Sequence, residues 1–312
     1  MTTAYRYPIG TRGQPWTEQE RQAWRAQTKI QRPYQAVVEA INALSEQFCV
    51  EQYGALSYDP ERYPLLCVKT QPWHADKPTL LVTGGVHGYE TSGVFGALQF
   101  LTEQAYRYAE QMNIVVVPCV SPWGYETIQR WNPNALDPNR CFYPNSPAEE
   151  SASLMALVDK LPAILAHIDL HETTDSDENE FRPALAARDG VDYQPGHIPD
   201  GFYTVGDSEN PQLDFQAAII ESVRQVTHIA PADQQGEIIG SPVIQEGVIV
   251  YPVKELGLCA SVTNSQYCST TEVYPDSPRV NSDDCNAAQV AAIVGALNYL
   301  YPNDLKLQVS GK

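Results

Sequence analysis

The segment from Pro78 to Thr91, PTLLVTGGVHGYET, limits most strongly what this chain can fold into. Its apolar run at residues 80–82 has no polar alternation, which is typical of a strand buried on both faces of a parallel sheet. The run ends at a Gly-Gly pair, and helical spacing of apolar residues resumes after residue 96. His87 and Glu90 therefore follow the carboxyl end of a strand, where ligands collect in open α/β sheets.

A third residue turns this pair into a candidate metal site. An imidazole and a carboxylate three residues apart can bind one borderline metal ion such as zinc, although such a pair also occurs by chance in surface loops. A second strand-like run starts at Ile164 and ends in His171. If the two strands lie parallel and side by side, His87, Glu90 and His171 form a three-ligand site with a position left for water. We therefore predict one zinc ion here.

Two residues beside His171 belong to the same predicted strand. On a helix His167 and His171 would form a pair, but the local composition favours a strand, on which His167, Asp169 and His171 share a face. We interpret His167 as a buried core histidine. We interpret Asp169 as a carboxylate that accepts a hydrogen bond from a ligand imidazole and orients it.

Several motifs, in this order, resemble the zinc carboxypeptidases and their relatives, the succinylglutamate desuccinylases and aspartoacylases. His87-x-x-Glu90 and His171 match that family's metal ligands. The segment at 137–140, Asp-Pro-Asn-Arg, resembles the family's Asp-x-Asn-Arg segment, and the segment at 169–174, Asp-Leu-His-Glu-Thr-Thr, resembles the aspartoacylase branch. The resemblance implies a three-layer α/β/α fold (phosphorylase/hydrolase-like) with a mixed, mostly parallel central sheet.

The resemblance also implies a general base and a carboxylate anchor. Glu272, at the end of a predicted strand, resembles the family's catalytic Glu, and such chemistry needs a carboxylate that moves a proton. Glu255 is the alternative, but its Lys-Glu pair is more typical of a solvent-facing surface. Arg140 is predicted to hold a substrate carboxylate with its planar fork, with Asn139 beside it. The same pair could instead form an ion pair that fixes a loop.

Two further residues are predicted on weaker grounds. Arg130 is the candidate oxyanion donor, although the family has an Arg just after a Trp, whereas here Asn132 follows Trp131. A solvent-facing loop arginine explains Arg130 equally well. Tyr251 resembles the substrate-binding tyrosine of carboxypeptidases, and a core strand tyrosine is the alternative.

Three functions remain open from the sequence. The favoured one is a zinc metallopeptidase, a metallocarboxypeptidase that hydrolyses an amide bond next to a free carboxylate. The aspartoacylase-like motif favours an N-acyl amino acid amidohydrolase instead. Against that alternative, the chain ends soon after the helix that follows Glu272, where the aspartoacylase resemblance leads us to expect an extra β domain. The third function, a metal-free binding module, would lack the three ligand types present here.

Composition excludes other classes of partner. The chain has 312 residues with 38 acidic and 20 basic side chains, a net charge of −18, which argues against a nucleic-acid partner. The seven cysteines form no Cys-x-x-Cys motif and are interpreted as buried free thiols in a reducing compartment. No segment reaches 18 apolar residues and no leader is apparent, so we expect a cytoplasmic protein with no membrane partner.

The remaining predictions concern organisation. We expect an N-terminal arm with a short helix at 1–33, a catalytic domain at 34–302 and a tail at 303–312. A capping box at Thr17 predicts a helix to about residue 27. The acidic run at 175–180 is interpreted as a solvated loop, with a second cation site as the alternative. Other predicted elements are strands at 49–56, 63–69, 113–118, 238–251 and 259–273, helices at 92–108, 147–161, 212–227 and 283–301, and irregular loop at 183–210.

Overall fold

A computed structural model describes residues 7–302; the predicted tail at 303–312 lies outside the described residues, as do residues 1–6. Within that range the chain forms eight α-helices and ten β-strands. The helices are α1 (Glu18–Gln27), α2 (Gln35–Asn42), α3 (Thr91–Glu103), α4 (Pro122–Thr127), α5 (Glu149–Val158), α6 (Arg182–Asp189), α7 (Leu213–Val223) and α8 (Ser282–Leu300). The strands are β1 (Cys49–Ala55), β2 (Pro64–Lys69), β3 (Thr79–Gly84), β4 (Asn113–Val117), β5 (Ile164–Glu172), β6 (Tyr203–Asp207), β7 (Glu237–Ile238), β8 (Ser241–Pro242), β9 (Val248–Tyr251) and β10 (Tyr267–Val273).

Eight of these strands form one mixed sheet, in the order β1-β2-β4-β3-β5-β10-β6-β9. The four central strands β4, β3, β5 and β10 are mutually parallel, whereas β2 and β6 run antiparallel to their central neighbours. The carboxyl ends of β3, β5 and β10 therefore meet at one edge. This arrangement confirms the predicted three-layer fold with a mostly parallel sheet, and it places His171 beside the loop that follows β3.

The central strands are buried on both faces because successive side chains enter different cores. Leu80 and Val82 of β3 pack in the larger core, which includes residues of α2, α3, α7 and α8. Leu81, between them, packs in a second core with Leu154 and Leu157 of α5. Each such buried side chain contributes about 1.5–3 kcal/mol to stability. The two cores hold the strand ends rigidly beneath the site.

The N-terminal segment, residues 7–33, packs against the body of the protein. Thr17 and Glu20 form the predicted capping box of α1. The indole rings of Trp16 and Trp24 lie 6.0 and 5.5 Å from that of Trp131, in an aromatic cluster that also includes Ala184 of α6. The segment thus contacts both the loop and the helix that flank the functional site described below.

Several local predictions were wrong. The region 183–210, predicted as irregular loop, contains α6 and β6. Cys259–Val262 is a 3-10 turn rather than the start of a strand. The acidic run is helical rather than a loop, because Asp177–Phe181 forms a π-helical turn that leads into α6; Asp175, Asn179 and Glu180 are exposed as predicted, whereas Asp177 is buried. All seven cysteines are free as expected, but Cys49 is exposed whereas the other six are buried. No helix within residues 7–302 is both long and apolar enough to cross a lipid bilayer.

Candidate metal centre and substrate cavity

Three predicted ligands meet at the edge of the sheet. His87 and Glu90 lie on the turn between β3 and α3, and His171 is near the end of β5. Gly85, at φ +59°, allows the turn that brings His87 back over the strand end, since an L side chain rarely adopts this conformation. His87 Nδ1 lies 2.6 Å from Glu90 Oε1, and His171 Nδ1 lies 2.8 Å from Glu90 Oε2. All three side chains are buried.

The cluster fits a metal ion on the chemistry of its donors. Glu90 Oε2 is buried and makes no hydrogen bond within residues 7–302, although His171 Nδ1 is close to it. A buried carboxylate oxygen left in this way is costly unless a cation satisfies it. Burial would raise the pKa of Glu90, but His171 and His87 outweigh it and lower that pKa. Two imidazoles and a carboxylate with converging atoms are a ligand set for zinc.

Carboxylates behind the cluster orient both imidazoles. His87 Nε2 lies 3.0 Å from Asp137 Oδ1, and His171 Nε2 lies 2.9 Å from Asp169 Oδ2. These contacts direct both Nδ1 atoms toward Glu90, which is the usual role of carboxylates behind metal-binding histidines. Asp169 therefore lies where the sequence predicted, whereas Asp137 was not predicted in this role.

A second group of potential ligands, His167, Asp169 and Cys259, lies deeper in the core. The Thr83 hydroxyl fills the space between them: it donates to Asp169 Oδ1 at 2.6 Å and lies 2.9 Å from His167 Nε2. Burial lowers the pKa of His167 and raises that of the Cys259 thiol, so both are neutral. We interpret this group as a polar core network, consistent with the prediction of a core histidine. The acidic run 175–180 contributes to neither candidate metal group found within residues 7–302.

Glu272 lies one strand away from His171. The two residues are register partners on the parallel pair β5 and β10. Thr173 Oγ1 donates to Glu272 Oε2 at 2.8 Å and lies 2.7 Å from the Tyr203 hydroxyl. Burial raises the pKa of Glu272 to about 8. Glu255, the alternative, is exposed and outside the cavity.

Arg130 is held by two carboxylates rather than facing solvent. Its Nε lies 3.0 Å from Asp137 Oδ2, and its Nη1 lies 3.1 Å from Asp177 Oδ1. Burial opposes its charge, but these carboxylates hold the pKa of Arg130 well above its ordinary value. No hydrogen bond within residues 7–302 uses its Nη2. One terminal nitrogen is therefore left to contact a substrate.

The two residues of the predicted carboxylate anchor, Asn139 and Arg140, differ in their interactions with the rest of the protein. The Asn139 side chain is already engaged, because its Oδ1 accepts from Cys259 N at 2.7 Å and its Nδ2 lies 3.4 Å from His171 Nε2. Arg140 is exposed and makes no ion pair within the described part of the chain. Its Nη1 donates to the Asn139 carbonyl at 2.7 Å, which aims the guanidinium. Within the described residues Arg140 is therefore a cation without an ion-pair partner, whereas the Asn139 side chain is already hydrogen-bonded.

These residues line one cavity of about 490 Å³. Its walls include His87, Glu90, Arg130, Asn139, Arg140, Tyr251 and Glu272. His171 is buried and does not line it. A volume of this size suits a small substrate or the end of a chain.

Sequence reasoning missed two walls of the cavity. Helix α6 contributes Arg182, Leu185 and Arg188, and the turn between β7 and β8 contributes Ile239. Pro in the first turn of α6 and Gly190 at its end are signals that could have identified the helix. No comparable sequence signal identifies Ile239. Its φ is 51°, a conformation that a β-branched residue seldom adopts, so its residue type does not predict the turn.

Comparison with known proteins is consistent with this geometry. Residues 76–189, somewhat more than a third of the chain, match the profile of the succinylglutamate desuccinylase/aspartoacylase catalytic domain. The matched stretch contains the three metal-ligand candidates, Arg130, Asn139 and Arg140, but neither Tyr251 nor Glu272. No curated protein sequence matches the chain.

Solved structures share the fold over most of the chain. A predicted metallopeptidase from Shewanella amazonensis is 20% identical with a TM-score of 0.64, covering 89% of this chain and 100% of the other. A metallo-carboxypeptidase from Burkholderia cenocepacia is 16% identical with a TM-score of 0.58, covering 92% of this chain and 70% of the other. A metallo-carboxypeptidase from Pseudomonas aeruginosa, in complex with (2-guanidinoethylmercapto)succinic acid, is 15% identical with a TM-score of 0.56, covering 93% and 70%.

Both parts of the resemblance drawn from the sequence are therefore confirmed. The fold is zinc carboxypeptidase-like, and residues 76–189 match the succinylglutamate desuccinylase/aspartoacylase branch. At these identities the structures establish the fold alone. The partial profile match at residues 76–189 and the shared fold are both consistent with a metal-dependent hydrolase.

Proposed function

We propose that this chain, with its zinc carboxypeptidase-like fold and its desuccinylase/aspartoacylase match at residues 76–189, is a zinc-dependent metallocarboxypeptidase. It would hydrolyse an amide bond next to a free carboxylate. The observation that carries the proposal is the cavity. It is lined by two of the metal-ligand candidates together with Glu272, Arg130 and Arg140, and Arg140 makes no ion pair within the described residues. A base and an oxyanion donor beside a metal centre serve the hydrolysis of an amide, and a free cation nearby suits a substrate that also carries a free carboxylate.

His87, Glu90 and His171 would hold the zinc ion. When bound, the ion would supply Lewis-acid chemistry, polarising the scissile carbonyl and lowering the pKa of water at the site. Glu272 accepts the proton of the attacking water and passes it to the leaving nitrogen. The Thr173 hydroxyl orients that carboxylate by donating to its Oε2.

Two arginines handle the charges of the substrate. The Nη2 of Arg130 faces the oxygen that gains negative charge, while Asp137 and Asp177 fix the rest of the guanidinium. Arg140 pairs with the free carboxylate of the substrate, and because it makes no ion pair within the described residues it has none to break. Tyr251 lines the same cavity as Glu272 and Arg140, and it closes the part of the cavity that binds the substrate carboxylate.

A second candidate is favoured by the family match, which covers six of the proposed site residues. In that case the enzyme is an N-acyl amino acid amidohydrolase, and the anchor binds the carboxylate of an amino acid rather than of a peptide. The chemistry at the metal, at Glu272 and at Arg130 is the same.

A mass-spectrometric time course distinguishes the two. The zinc-loaded protein receives a mixed panel of short peptides and N-acyl amino acids. Loss of single carboxy-terminal residues supports the peptidase, and release of acyl groups alone supports the amidohydrolase. Removal of zinc with a chelator should abolish turnover, and added zinc should restore it.

Matched variants identify the base. Glu272→Gln keeps the size of the side chain and should lower kcat by about 10²–10⁴-fold. Glu255→Gln removes an exposed carboxylate outside the cavity and should leave kcat unchanged. Turnover of neither substrate class by zinc-loaded wild-type protein would refute the proposed function.

A further inference from the structure

The turn that carries His87 and Glu90 is fixed through its backbone carbonyls. Buried carbonyls need donors, and this turn obtains most of them from the segment that follows β4. Val120 N donates to the Gly84 carbonyl at 3.0 Å, and Ser121 N donates to the Gly85 carbonyl at 2.9 Å. The Ser121 hydroxyl donates to the Val86 carbonyl at 2.7 Å.

The Gly88 carbonyl, between the two ligand candidates, has a different donor. Arg32 Nη2 donates to it at 2.6 Å, while Arg32 Nε donates to the Tyr125 carbonyl at 2.7 Å. The guanidinium carbon also lies 3.9 Å from the centre of the Tyr125 ring. Arg32 comes from the N-terminal segment, 56 residues before Gly88. One planar fork thus joins α4 to the metal-ligand turn.

The backbone of this turn packs tightly against α4 at Gly88. A Cβ at Gly88 would lie 1.9 Å from the carbonyl carbon of Gly124, so the two backbones are in direct contact. Gln31 N and Arg32 N donate to the Glu126 carbonyl, which anchors the N-terminal segment on the same helix. Movement of Arg32 would therefore be transmitted to the carbonyl it holds.

Arg32 is also placed without a carboxylate in direct contact in the described part of the chain, although Glu172 lies near enough to raise its pKa, which burial lowers. Within residues 7–302 it makes no ion pair, and its charge is satisfied by carbonyls and an aromatic face. A partly buried cation without a carboxylate partner is costly for stability alone. Its geometric role at Gly88 gives a reason for it to be there.

We propose that Arg32 is a positioning residue that holds the His87–Glu90 turn in its metal-binding conformation. The inference rests on the proposed function, because it requires a metal ion at the His87, Glu90 and His171 cluster. It assigns to the N-terminal segment a part in the site, although no residue of that segment lines the cavity.

The test measures zinc affinity by competition with a fluorescent chelator on the full chain. Arg32→Ala should weaken zinc binding about tenfold, within the range known for partners that orient metal ligands. Arg32→Lys, which keeps the charge but cannot form the two-carbonyl fork, should also weaken it. Arg21→Ala is the matched control, since Arg21 also comes from the N-terminal segment and donates to a backbone carbonyl, that of Asn134, away from the turn.

Two further readouts separate positioning from general stability. Millimolar methylguanidine should restore zinc affinity to Arg32→Ala, and the visible spectrum of bound Co²⁺ should change in the variant and recover with the additive. If Arg32→Ala fails to fold, Arg32→Lys decides the question. Wild-type zinc affinity in a folded Arg32 variant, or an equal loss in Arg21→Ala, overturns the inference while leaving the proposed function intact. Failure of wild-type protein to bind zinc overturns both.

Discussion

Asp137→Asn is the change that best tests the site, because Asp137 connects the metal cluster to Arg130. Its Oδ1 faces His87 Nε2 at 3.0 Å and its Oδ2 faces Arg130 Nε at 3.0 Å. Burial would raise the pKa of Asp137, but Arg130 and His87 lower it well below its ordinary value, so the carboxylate is ionised. An amide at this position offers His87 a neutral acceptor and turns an N–H toward the N–H of Arg130.

The expected effect on zinc binding follows from the loss of one orienting carboxylate. Such partners typically contribute 10–100-fold in metal affinity, or about 1.4–2.8 kcal/mol. The displaced Arg130 should also lower kcat by on the order of 10²-fold, as loss of one oxyanion donor does. Zinc affinity is measured by chelator competition, kcat by single-substrate kinetics, and folding by circular dichroism.

Asp177→Asn is the matched control for this prediction. Asp177 also faces Arg130, at 3.1 Å, and accepts from Thr174 N at 2.8 Å, but it contacts none of the three ligand candidates. Its variant should lower kcat and leave zinc affinity unchanged. The reasoning is refuted if Asp137→Asn binds zinc within twofold of the wild type, or if both variants lose zinc equally.

Three other predictions concern single residues. Burial raises the pKa of Glu150 from 4.5 to about 7, so its neutral form stabilises the fold below pH 4.5 and this contribution is lost as pH rises from about 4.5 to about 7. The unfolding free energy of Glu150→Gln relative to wild type, from urea titrations, should therefore increase by up to about 3 kcal/mol across that window; a pH-independent difference contradicts it. Burial raises the pKa of Glu272 to about 8, and a bound zinc ion should lower it again. If Glu272 is the base, kcat/KM should rise with pH until its carboxyl is ionised. The same rise of kcat/KM with pH in Glu272→Gln would exclude Glu272 as the base. Ile239→Asn should change thermal stability by less than about 1 kcal/mol, because relief of the left-handed backbone offsets lost packing. It should lower kcat/KM for substrates with aliphatic side chains about tenfold, and equal loss for glycine substrates would exclude a direct contact.

Part of the site could be predicted because each element carried its own signal. The strand before His87 and the strand containing His171 are recognisable from their apolar runs, and parallel neighbours must end at the same edge of the sheet. Glu272 followed from the same logic together with the family resemblance. In each case the candidate residue lies at or just after a strand end, so its approximate position follows from the strand.

The partners of the cations could not be predicted in this way. Arg130 pairs with Asp177, 47 residues along the chain, through a turn that was interpreted as a solvated loop. Asn139 is predicted to bind substrate, but its side-chain Oδ1 accepts a hydrogen bond from the backbone N–H of Cys259. Charge and spacing alone do not state which carboxylate or amide a guanidinium or peptide group will meet.

The sequence by itself determined the central buried strands, their ends and the three-ligand cluster, because continuous apolar runs are visible in the local pattern and parallel neighbours end at one edge of a sheet. Only the tertiary structure decided which arginine side chains form ion pairs and which do not. Arg32 reaches Gly88 across 56 residues, and Arg140 stays without an ion pair within the described residues because Asp137 turns toward His87 and Arg130 instead. Those choices depend on the relative placement of segments distant in sequence, and hydrogen bonds of about 3 Å leave no tolerance for error in that placement.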